Sequence, residues 1–152
     1  MTTVTIENKA RKAWMSLLAK APPTRLKELW EVSRFSALKA ELLRAPEVGA
    51  MMVQGRMGGT GAAFNLGEMT VTRCTLKLPC GTTGHSMVQG RDKQHARIAA
   101  VTDALMQTDQ AADVQDEILG HLAAEAGAKA AMRAAKAAGT KVEFFTMVRG
   151  ED

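Results

Sequence analysis

The chain has 152 residues, 46% hydrophobic and 24% charged, a balance that excludes wholesale disorder and fits one domain with an appended arm. Its 20 basic and 16 acidic residues leave a net charge of +4, too mild and too scattered to predict nucleic-acid binding. No apolar run is long enough for a transmembrane helix, and Met1 to Arg11 holds no apolar secretory core. With Cys74 and Cys80 as the two cysteines and no export signal, a reduced cytoplasmic setting is expected.

Ile6 to Lys20 reads as a helix, with Ala10, Ala13, Trp14, Leu17 and Leu18 on one face. Ala21-Pro22-Pro23 ends it, and a second helix starts near Thr24, carrying Leu26, Leu29, Trp30 and Phe35 at helical spacing. Both tryptophans are expected in the core. Ala37 to Arg44 favours helix by propensity, yet Pro46-Glu47-Val48-Gly49 reads as a turn followed by a strand from Ala50 to Arg56. A short strand at Glu41 to Arg44 would complete a hairpin around that turn. Gly58-Gly59-Thr60-Gly61 is a tight glycine loop. Glu68 to Leu78 is the clearest strand, with Thr72, Cys74, Leu76 and Leu78 sharing a face. Pro79-Cys80-Gly81-Thr82 turns the chain, and Gly84 to Gln89 returns antiparallel.

Asp92 is a suitable cap for a helix from Lys93 to Gln107, with Ile98, Val101, Leu105 and Met106 inward. Another helix opens at Asp113, and the alanine-rich run from His121 to Ala138 continues helical until Gly139. The fold class is therefore α+β: an antiparallel meander covered by N-terminal and central helices, then an alanine-rich arm and a C-terminal strand. Residues 1–110 are expected to form the core domain, and 111–152 the arm and strand. The last segment, Val142-Glu143-Phe144-Phe145-Thr146-Met147-Val148-Arg149, is strongly β-prone. Leaving each phenylalanine in water forfeits about 1.5–3 kcal/mol, so the segment is expected to join a sheet, either its own or a partner's, and Val142, Phe144, Phe145, Met147, Val148 and Arg149 are candidate partner-interface residues.

Two turns carry candidate anion chemistry. In Arg56-Met57-Gly58-Gly59-Thr60-Gly61, successive glycine amides can form an anion nest beside a guanidinium. The P-loop ending and the dinucleotide fingerprint are both absent, so a plain glycine turn is the competing reading. In Gly90-Arg91-Asp92-Lys93-Gln94-His95, a strand hands over to a helix start flanked by Arg91, Lys93 and His95, against the alternative of a well-capped helix with solvated neighbours. If adjacent, the two turns would build one electropositive pocket. His85, His95 and His121 lack metal-ligand spacing, the cysteines lack zinc or redox spacing, and no catalytic triad is recognisable. Neither a catalytic residue nor a metal site is assigned.

A family resemblance goes further than this. Trp14-Met15, Arg56 to Gly61, Met69-Thr70-Val71-Thr72-Arg73, Val88 to Ala96, Asp103-Ala104-Leu105-Met106-Gln107 and Phe144 to Gly150 occur in order. Together they resemble the PhnG subunit family of the bacterial carbon–phosphorus lyase core complex, although Pro79-Cys80-Gly81 departs from the acidic-Gly turn expected there. The resemblance implies a cytoplasmic, non-autonomous subunit with PhnI-like, PhnH-like and PhnJ-like partners. It implies that the complex displaces adenine from ATP by an alkylphosphonate, giving α-D-ribose 1-alkylphosphonate 5-triphosphate. No cofactor is expected on this chain alone; iron–sulfur, S-adenosylmethionine and metal chemistry are implied for the partners. The rival readings are a stand-alone phosphate- or nucleotide-binding enzyme using the two turns, and an RNA-binding accessory protein.

Overall fold

The computed structural model describes residues 2–142. Helix α1 (Thr2–Lys20) ends at Ala21-Pro22, where Pro22 is extended and Pro23 occupies the first turn of α2 (Pro23–Val32). A proline costs nothing there, because the first-turn N–H has no helical partner. Leu26, Leu29 and Trp30 form the buried face of α2. Ser33 then stops the helix: its hydroxyl donates to the Trp30 carbonyl at 2.8 Å and accepts from the Phe35 amide at 3.3 Å. Phe35 therefore reaches the core from a turn, beyond the end of the helix that its spacing suggested.

Three antiparallel strands follow, β1 (Glu41–Arg56), β2 (Ala63–Lys77) and β3 (Thr83–Gln89), in the order β1-β2-β3. The expected break at Pro46 to Gly49 does not occur. β1 is one continuous strand paired with β2 from Glu41↔Lys77 to Arg56↔Ala63. Pro46 falls in the register shift between Arg44 and Glu47, on the strand at the sheet edge. Edges and bulges are the places where a missing N–H is tolerated. The glycine loop is consequently the tip of a long hairpin, and β2 begins at Ala63, five residues ahead of the expected Glu68.

Thr72, Cys74 and Leu76 of β2 and Gly84, Ser86 and Val88 of β3 are buried, as period-two alternation requires. Helix α3 (Lys93–Leu105) lies on this face. The contact is closest at Gly84, where a Cβ would collide with the Ala100 carbonyl oxygen and stand 2.8 Å from the Ala104 Cβ. Only glycine allows this strand and helix to approach so nearly.

After α3, the short α4 (Ala111–Val114) runs through a π-turn at Gln115–Leu119 into α5 (Gly120–Gly139). Val114, Ile118, Leu119 and Leu122 join the same core as Leu26, Leu76 and Leu105. The core thus continues about twelve residues past the expected division at 110/111, because Val114, Ile118 and Leu122 recur at spacings of four. Every residue from Ala123 to Val142 is exposed. The expected C-terminal strand lies, beyond Val142, outside the described residues.

Candidate functional site

The most elaborate polar site surrounds Asp103, whose side chain is fully buried. Arg11 forks onto it, Nε to Oδ1 at 3.1 Å and Nη2 to Oδ2 at 2.7 Å. Trp14 Nε1 donates at 2.9 Å, the His85 amide at 3.0 Å and Gln107 Nε2 at 3.4 Å. Gln107 also donates to the Thr83 carbonyl at 3.0 Å. A carboxylate has about four acceptor positions, so these donors leave none for a substrate proton. Asp103 is a fastener joining α1, β3 and α3. Trp14, Asp103 and Gln107 belong to the short motifs singled out in the sequence, and the geometry gives them a shared structural task. Arg11 was missed, since no local pattern links residues 92 positions apart.

The glycine turns do not form one pocket. Gly58 and Gly59 have positive φ, +60° and +81°, and Arg56 Nη1 donates to the Gly61 carbonyl at 3.0 Å across the loop. Thr60 is exposed in the same tip. The Arg91 turn begins where β3 stops, the Gly90 amide donating to the Thr70 carbonyl at 3.0 Å. β2 runs on from Val71, the last residue paired with β3, to Ala63 at the tip. Eight residues of strand span about 27 Å. The expected adjacency is therefore corrected: the intervening hairpin holds the two basic turns apart.

At the α3 start, Arg91 and Lys93 are exposed, but Asp92 Oδ1 already accepts the His95 amide at 2.9 Å. His95 itself is buried, with Nε2 2.8 Å from the Leu18 carbonyl oxygen. Its expected contact with an anion is corrected on that ground, since the imidazole faces α1 in the core. Nδ1 of His95 has no hydrogen-bond partner among the described residues.

Most arginines of the body are committed. Arg25 pairs with Glu28 and Glu125, Arg34 with Asp113 and Glu117, and Arg73 with Glu47. Glu117 is held below the ordinary carboxylate range, first by the Arg34 amide and then by its guanidinium. Burial raises the Cys74 thiol, whereas hydrogen bonding with Thr82 lowers that of exposed Cys80. Among the described residues, no group of three or more His, Cys, Asp or Glu side chains could hold a metal ion. No helix among them is long and apolar enough to cross a membrane.

Val32, at the end of α2, is 83% exposed, and much of the remaining exposed apolar surface lies on two projections. Residues 48–67 carry a single charge, Arg56, yet Met52, Met57 and Leu66 are 50%, 76% and 67% exposed. Val48, Met51 and Phe64 are exposed beside them, Phe64 lying over Gly55 with ring atoms 3.6 Å from the position of an added Cβ. A two-stranded hairpin with such a surface is marginally stable in water. The other projection is α5 beyond Leu122, mostly alanine with Lys129, Arg133 and Lys136 along one side. Near the hairpin root, a cleft of about 590 Å³ is lined by Met15, Met51 and Met87, with Arg11, Lys12 and His85. Methionine suits surfaces that must adapt to a partner.

A body locked by structural ion pairs, with exposed apolar side chains on its projecting hairpin and also at Val32, Leu42, Leu43 and Met87, has the form of an assembly subunit. The family model for the phosphonate metabolism protein PhnG matches residues 9–150. The chain is also 42% identical over 142 residues to the alpha-D-ribose 1-methylphosphonate 5-triphosphate synthase subunit PhnG of Rhizobium meliloti (strain 1021), covering 93% of this chain and 90% of that protein. The chain belongs to the PhnG family.

Proposed function

We propose that this chain is a non-autonomous subunit of an α-D-ribose 1-methylphosphonate 5-triphosphate synthase in cytoplasmic phosphonate breakdown. The observation that carries this reading is the exposed apolar hairpin on a chain similar along 93% of its length to a named subunit of that synthase. Its partners are PhnI-like, PhnH-like and PhnJ-like chains, and the assembly displaces adenine from ATP by an alkylphosphonate. The chain brings no cofactor of its own; iron–sulfur, S-adenosylmethionine and metal chemistry belong to the partners. Arg91 and Lys93, exposed at the α3 start, favour polyanionic ligands near the assembled surface.

The test is adenine release from ATP and methylphosphonate, measured on the purified chain and on the chain co-expressed with its partners. The expected result is turnover only in the assembly. Turnover by the isolated chain would instead establish a stand-alone nucleotide-binding enzyme.

A further inference from the structure

We infer that the β1–β2 hairpin is an insertion arm that carries Arg56 into a neighbouring synthase subunit, where the guanidinium binds a phosphate or phosphonate oxygen of the substrate. This rests on the subunit reading above and adds to it an interacting surface and a binding residue.

Reach is the first support. β3 leaves β2 at Val71, and the remaining hairpin runs about 27 Å to its tip with no pairing from β3. Charge is the second. A stretch of twenty residues, 48–67, holds one ionisable side chain, and it stands at the far end. An arm built to stay in water would carry charges along its length, as edge strands do. This arm instead exposes Met52, Met57, Phe64 and Leu66, which match an apolar, water-excluding cleft.

The state of Arg56 is the third support. Arg25, Arg34 and Arg73 each hold a carboxylate, whereas Arg56, like Arg91, Arg97 and Arg133, has no carboxylate partner among the described residues, and Arg56 alone of these stands in the otherwise uncharged arm. Its one hydrogen bond among the described residues, Nη1 to the Gly61 carbonyl, orients the fork and leaves other N–H donors available. Placed in an apolar cleft without an anion, such a cation would be strongly destabilising. The neighbour's cleft must therefore present negative charge at its end. The product named for the similar Rhizobium meliloti synthase carries a triphosphate and a phosphonate, so the chemistry supplies oxyanions suited to a guanidinium.

The experiment uses the co-expressed assembly with Arg56→Ala, Arg56→Lys and, separately, a shortened arm in which a two-residue turn replaces residues 51–69. Assembly is read by native mass spectrometry, and kinetics by product formation with inorganic tripolyphosphate as a competing anion. The expected result is that Arg56→Ala assembles fully but loses roughly 10- to 100-fold in kcat/KM. Its inhibition by tripolyphosphate should weaken in parallel, and Arg56→Lys should recover part of both. The shortened arm should retain its helical circular dichroism yet fail to assemble. Unchanged kinetics for Arg56→Ala in a complete assembly would overturn the inference while leaving the subunit reading intact. So would loss of assembly by Arg56→Ala alone, which would make the anion a partner carboxylate. If the native chain joins no assembly, both readings fall together.

Discussion

The Asp103 region and the hairpin arm are opposite solutions to the same constraint, that buried polar groups need partners and apolar groups need cover. Around Asp103 every acceptor position is filled from within the chain, by Arg11, Trp14, His85 and Gln107. Along residues 48–67 neither free strand edges nor Met52, Met57 and Leu66 find cover inside the described chain. The body closes its polar contacts from within, whereas the arm leaves Met52, Met57 and Leu66 uncovered among the described residues. Stability and assembly should consequently respond to different substitutions.

The sharpest break of that comparison is at the fastener. Asp103→Ala strands Arg11, the Trp14 indole and the His85 amide, and should cost about 3–5 kcal/mol, read as loss of the denaturation midpoint. Gly84→Ala should follow, with about 1–3 kcal/mol or more from the collision with α3, measured by urea unfolding. Met52→Glu with Leu66→Glu should leave the isolated chain within about 0.5 kcal/mol of wild type. If these arm substitutions unfold the isolated body, the separation of the two regions is wrong.

Thiol chemistry sharpens the contrast within the body. Cys80, exposed and with its thiol lowered by Thr82, should take up iodoacetamide in the native state, while buried Cys74 reacts only on unfolding. Intact mass after brief labelling should show one adduct. The smallest effect is at Glu117. Its carboxyl is depressed in the fold, so its contribution is present above the unfolded value and lost as pH falls through the folded one. Arg34→Ala removes the guanidinium but keeps the backbone amide, so it should only partly flatten the acid side of the stability curve below pH 4.5, the ordinary value for that group.

The inward face of β2 was legible because Thr72, Cys74 and Leu76 alternate with polar neighbours, and burial follows that alternation. The same holds for Asp92, which caps α3 as its position before the helix implies. β1 was misread because Pro46 is a turn signal locally, and only the pairing with β2 shows that it sits at an edge irregularity. His95 looked like a first-turn polar residue, but its burial depends on α1, 77 positions away. The glycine motif was seen, yet its place at the end of a long hairpin required strand registration that no local pattern encodes. Tertiary pairing, not composition, turned two expected neighbours into distant turns.

Hydrogen–deuterium exchange over residues 48–69, compared between the isolated chain and the complete synthase, addresses the central claim most directly. The account predicts rapid exchange in the isolated chain and strong protection on assembly, with amides of Thr72 to Leu76 protected in both. Equal protection of the arm in the two states, or continued rapid exchange within the complex, would contradict it.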